Sequence, residues 1–118
     1  MTQFLLVALG GAVGSMARYG VGLAAARLGV GFPWGTLCVN VVGGLLMGLL
    51  AARVGPQDEN ARVLLGVGVL GGFTTFSAFS LDTVRLLETQ LGAALLYVVA
   101  SVVLSIGACW LGLVLGRP

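Results

Sequence analysis

The stretch GGFTTFSAFS, residues 71–80, threads two threonines and two serines between three phenylalanines, behind a pair of glycines. It lies inside an apolar run, with VLLGVGVL before it and Leu81 after it. Adjacent glycines followed by two threonines are poor helix formers, so GGFTT reads as a break. At membrane depth a break is tolerated only where the freed backbone groups are buried in protein or face water. The chemistry on offer is therefore neutral hydrogen bonding, from hydroxyls and from unwound carbonyls or amides. Phe73, Phe76 and Phe79 recur every three residues. Such a stripe is commonly plain packing, but here it is interleaved with hydroxyls.

Three further polar features sit in apolar surroundings. Asn40, in GTLCVNVVGG, is a side-chain amide that could bond a neighbouring helix or face a path. Tyr97, Ser101 and Ser105 follow at i, i+4 and i+8, one stripe on one helix face. A serine can bond back to its own helix; a stripe that also meets an amide would be a polar track. Arg18, in GSMARYG, either snorkels to the interface or anchors the entrance of a polar path. Polar groups at depth are costly and mark a pathway or a partner.

Catalytic chemistry is not visible. The chain has no histidine, which removes the commonest base and metal ligand. Asp58, Glu59, Asp82 and Glu88 fall in expected loops or at helix ends, and nothing reads as a phosphate-binding strand and loop. An enzyme is not expected.

The elements that must position these residues are membrane helices. Of 118 residues, 58% are hydrophobic and only 8% charged, too few to cover a soluble surface. A span needs about 20 mostly apolar residues. Four stretches qualify, at about 4–26, 34–52, 63–81 and 91–116, joined by LGVGFP, RVGPQDEN and DTVRLLETQ. Met1-Thr2-Gln3 has no basic flank, so a cleaved signal peptide is not expected. Glycines four apart, Gly10/Gly14, Gly44/Gly48, Gly68/Gly72 and Gly112/Gly116, suit close helix packing. Cys38 and Cys109 read as small buried hydrophobes. The net charge of +2 is too weak to suggest nucleic acid.

Orientation follows the arginine bias between the two sides. Arg53, Arg62 and Arg117 face Arg18, Arg27 and Arg85, three against three. Insertion then has almost no preferred direction. Four thin helices cannot enclose a path alone, so an antiparallel homodimer with two equivalent pores is expected.

GGAVGSMARYG in span 1, GTLCVNVVGGLLMG in span 2, GVLGGFTTFSAFS in span 3 and the Tyr97/Ser101/Ser105 spacing together resemble the Fluc-type fluoride channels, the CrcB family. The resemblance covers essentially the whole chain. Two departures stand out: Ala78 where the family has a threonine, and Leu45 where phenylalanine is frequent.

The resemblance implies an all-α membrane protein with four transmembrane helices per subunit, the third broken at mid-membrane, in a dual-topology dimer at the cell membrane. Its partner is a second copy, or a paralogous chain. It implies that Asn40, Thr75, Phe76, Phe79, Tyr97, Ser101 and Ser105 line the fluoride pore, with Arg18 at the vestibule. Backbone carbonyls of Gly71 and Thr74 would hold a structural sodium ion at the dimer centre. The implied activity is passive export of cytoplasmic fluoride, giving fluoride resistance. The physics agrees. Fluoride holds its water tightly, so a pore must substitute donors. Amide, hydroxyl and aromatic ring edge can do so, while a fixed cation deep in the pore would hold the anion too long. Two rivals are weaker. A proton-coupled multidrug exporter needs a membrane-embedded carboxylate, which the expected spans lack. A non-transporting assembly subunit leaves the hydroxyl-rich break without a purpose.

Overall fold

The computed structural model describes residues 1–29 and 31–118, and every regular element among them is a helix. Helix α1 is Thr2–Ala25, followed by a 3-10 turn at Ala26–Leu28. Gly29 and Gly31, at φ 102° and 124°, turn the chain in the left-handed region where glycine costs nothing. Helix α2, Trp34–Arg53, starts directly after Pro33. The single turn α3, Glu59–Ala61, is capped by the Asp58 carboxylate, which accepts from the Ala61 N–H at 3.3 Å. It runs into a π-helix, Arg62–Leu70, then α4, Gly71–Phe73. Helix α5 is Ser77–Thr89 and α6 is Leu91–Gly116.

Four helical stretches are long and apolar enough to cross a membrane: Thr2–Leu28, Trp34–Arg53, Glu59–Thr89 and Leu91–Gly116. The third runs well beyond residue 81, where its apolar stretch ends. In DTVRLLETQ, Leu86 is buried against Ala94 and Tyr97 of α6, while Arg85 and Glu88 face outward. That is an amphipathic helix carried past the bilayer, not a loop. The 48 Å length of the chain exceeds a hydrocarbon core of roughly 30 Å, so polar helix ends must protrude. Asp82 accordingly sits inside α5, and Gln90 alone links α5 to α6.

Packing is backbone to backbone. Helix α2 lies on α6, and α1 lies on the π-helix and α4. A Cβ on Gly44 would stand 2.7 Å from the Ser105 carbonyl oxygen, and one on Gly10 would stand 2.5 Å from that of Leu64. Gly48 and Gly112 lie as tightly against the opposing main chain of α6 and α2. Where lipid offers no hydrophobic drive, such contact is the main cohesion available. Few side chains are fully buried, and leucine, valine and phenylalanine cover the outer faces of all four spans. Both cysteines are free thiols; Cys38 is exposed rather than buried, and Cys109 is partly covered.

Candidate functional site

Helical geometry stops at Phe73 and resumes at Ser77, and Thr74 is extended (φ −91°, ψ 160°). Some of the backbone groups around this segment are taken up by side chains from other spans. Arg18 donates from Nε to the Gly72 carbonyl at 3.1 Å. Asn40 bonds the Thr75 peptide twice: its Nδ2 donates to the Thr75 carbonyl at 2.9 Å, and its Oδ1 accepts the Thr75 N–H at 2.8 Å. The Thr75 hydroxyl accepts the Ala78 N–H at 3.1 Å and so caps the first turn of α5. Thr74 turns its hydroxyl back to the Leu70 carbonyl at 2.9 Å, while its methyl lies against Gly43. The carbonyls of Gly71 and Thr74 accept no hydrogen bond among the described residues.

A cavity of about 590 Å³ opens beside this segment. Asn40 from α2, Thr75, Phe76 and Phe79 from the third span, and Ser101 and Ser105 from α6 share its wall. The two serine hydroxyls are buried and have no partner among the described residues, so neither bonds back to its own helix. Asn40 Nδ2 carries a second N–H beyond the one given to Thr75. The cavity therefore gathers neutral donors, and none of its lining residues is charged. Phe76 is 77% exposed and stands 5.6 Å from the Phe79 ring, the two planes at 57°.

Tyr97 stands on the same face as the serines but not on the cavity wall. It is fully buried, its ring tilted at 46° against Phe79 with centroids 5.2 Å apart, and edge-on at 5.5 Å to Phe32. Its hydroxyl donates to Asp82 Oδ2 at 3.2 Å. The Asp82 partnership was not read from the sequence; its signal is the spacing of three from Phe79, which puts both on one face of α5. Cys109, four residues beyond Ser105, also lines the cavity.

Arg18 lines a second cavity of about 540 Å³ with Ser15, Tyr19, Thr36 and Thr75. Thr75 is common to both cavities, so the segment held by Asn40 is the partition between them. No group of three or more histidine, cysteine or acidic side chains that could hold a metal ion occurs among the described residues.

Residues 5–113 match the family described as CrcB-like protein, Camphor Resistance (CrcB). The chain is 58% identical to the fluoride-specific ion channel FluC of Caulobacter sp. (strain K31), over 99% of this chain and 96% of the relative. It is 56% identical to the protein of that name from Paracoccus denitrificans (strain Pd 1222), over 97% and 94%. To the one from Thermus thermophilus the identity is 50%, over 98% and 96%. The match runs through all four spans and both walls of the donor-lined cavity, and the chain belongs to the CrcB family.

Proposed function

We propose that this multi-pass membrane protein is a fluoride-specific ion channel that passes the anion down its electrochemical gradient and is not an enzyme. One observation carries the reading: Ser101 and Ser105, whose buried hydroxyls have no partner among the described residues, line the same cavity as Asn40, Phe76 and Phe79. An anion shedding water there meets hydroxyl and amide hydrogens in place of its hydration shell. The positive edges of the two rings serve the same purpose. The uncharged wall favours several weak stations over one deep well, which conduction requires. Hydrogen fluoride that enters and ionises in the cytoplasm would leave as fluoride, driven by about 2.3 kcal/mol per 100 mV of membrane potential. Arg18 would supply positive potential at the vestibule from the second cavity, while its Nε stays committed to the Gly72 carbonyl.

The site is proposed to be completed by a second, antiparallel copy. Phe76 stands exposed beside an open cavity that carries Asn40, Thr75 and two serines on its wall, and an inverted partner would cover both. The balance of three arginines against three supports both orientations. In that assembly the 74–76 interruption lies at the membrane midplane, and the two copies cross on the two-fold axis. The Gly71 and Thr74 carbonyls are hard, neutral oxygen donors with no hydrogen bond among the described residues. They fit a structural monovalent cation such as sodium, which would neutralise converging carbonyl dipoles without moving with the anion.

A proton-coupled exporter remains the weaker reading. Asp82 lies in helix α5 just past the apolar stretch, where the Tyr97 hydroxyl already engages it, and the named relatives are fluoride channels. Purified protein in liposomes decides: fluoride efflux should collapse a fluoride gradient while chloride does not substitute. Absence of fluoride efflux, or cation exchange driven by a proton gradient, would overturn the proposal.

A further inference from the structure

Thr75 joins the Arg18 cavity to the donor-lined one, and Met47 joins the donor-lined cavity to a third, of about 500 Å³, between α2 and the π-helix. Asn40, Gly44 and Met47 line the donor-lined cavity; Met47, Ala51 and Val54 line the third. Spacings of four and three put all five on one face of α2, along about 21 Å of helix at about 1.5 Å per residue. The two cavities are therefore halves of one groove, with Met47 at the divide. The Arg18 cavity touches the start of α2 at Thr36, and the third touches its end at Val54, so the three follow α2 from one side of the membrane towards the other. Arg62 is the one charged side chain on the third cavity's wall among the described residues. It donates from Nη1 to the Pro56 carbonyl at 3.3 Å, and its other N–H groups have no partner among those residues. Asp58 and Glu59 do not line the cavity. An uncharged middle thus lies between two cavities that each carry an arginine.

The main chain on either side of Met47 is fixed: Gly44 is pressed on the Ser105 carbonyl and Gly48 on that of Cys109. What remains movable at the divide is the Met47 side chain, an unbranched thioether with several rotatable bonds. Amide and hydroxyl donors line the groove before it, and apolar walls follow it. A hydrophobic constriction excludes water, and with it the ion, until it moves aside. Past it an anion regains water, and a guanidinium at the mouth supplies attracting potential.

We propose that the anion path leaves the donor-lined cavity past Met47 and opens to water at Arg62, with Met47 as its constriction. This deepens the channel reading and rests on it.

The test uses the full chain in liposomes, in a Cys38→Ala/Cys109→Ala background, with an anionic, membrane-impermeant methanethiosulfonate on both faces. A thiolate forms readily only in water. It attacks the reagent's sulfenyl sulfur, a disulfide forms, methanesulfinate leaves, and the thiol proton passes to water. Labelling is read by intact mass, and fluoride flux as a fraction of each protein's own flux before reagent. Ala51→Cys should be labelled in nearly all copies, with flux falling about tenfold or more. Leu46→Cys, exposed on α2 but on neither cavity wall, should not react. Without reagent, Met47→Trp should cut flux about tenfold while Met47→Ala keeps or raises it. Arg62→Gln should lower flux severalfold at low ionic strength and much less at about 1 M salt. An unreactive Ala51→Cys in a conducting protein overturns this proposal alone and shows the groove filled by acyl chains or by a partner. Equal labelling of Leu46→Cys, or labelling of Ala51→Cys with flux intact, also overturns it. So does wild-type flux in Met47→Trp, or an Arg62→Gln effect that salt does not change. A background protein that passes no fluoride before reagent overturns the channel reading and this path with it.

Discussion

Asn40 and Thr75 are joined by two hydrogen bonds of opposite sense, amide to peptide, as two strands would be across a sheet. Thirty-five positions separate them in the chain, and neither belongs to a strand. The side chain of one span thus replaces the helical partners that the backbone of another gives up.

Asn40→Ala removes both bonds and leaves a peptide N–H and C=O unpaired in a half-buried place, a loss of about 1–3 kcal/mol. Flux in liposomes should fall at least tenfold, to the same extent as for Asn40→Asp, which keeps the acceptor but loses the donor and adds charge. Wild-type flux in either variant would show that the pairing does not support conduction.

Phe76→Ile and Phe79→Ile keep apolar volume but remove the positive ring edge. Each should depress fluoride flux by about an order of magnitude while leaving assembly unchanged in size-exclusion chromatography. If both conduct normally, the rings only fill space.

Gly44→Ala would bring a methyl group within 2.7 Å of the Ser105 carbonyl oxygen. Main chain cannot give way as a flexible side chain can, so about 1–3 kcal/mol of overpacking strain is expected. The melting temperature in detergent should drop clearly. Gly92→Ala, where a Cβ meets nothing, is the control and should not move it.

Replacing sodium with a large organic cation throughout purification should weaken the dimer and abolish flux, and sodium should restore both. Unchanged flux in a rigorously sodium-free protein would dismiss the carbonyl site.

A cysteine introduced in the 56–60 loop of a protein lacking Cys38 and Cys109 should react for about half the molecules from either side of an intact membrane. Reaction of nearly all copies from one side would establish a single topology.

Some of this was legible in the residues and some was not. The four spans announce themselves because about 20 apolar residues in a row admit few other structures. Asn40 and the two serines stand out because polar groups at depth need partners. The far end of α5 was obscured by its own charges: DTVRLLETQ resembles a connection until Leu86 is seen packed on Tyr97. The direction of Tyr97 was equally hidden. Spacing places it in line with Ser101, but the Asp82 carboxylate draws its hydroxyl out of that line. The nine-residue π-helix at Arg62–Leu70 adds a more general difficulty. Its wider turn rotates everything after it relative to a 3.6-residue count, so faces assigned by period drift just where the site begins.

The unpartnered hydroxyls of Ser101 and Ser105 also bear on the life of the chain before it functions. On a newly inserted copy, the cavity beside them would open toward acyl chains, which offer no hydrogen bonds. Aliphatic surface gives it no reason to seek a companion, since lipid tails satisfy leucine as well as protein does. The incentive to associate would be concentrated in a few polar atoms. Recognition between copies would then be selective rather than strong. Solitary copies would persist long enough for membrane quality control to act on them, and abundance of the chain, more than affinity, would govern how many complete assemblies form.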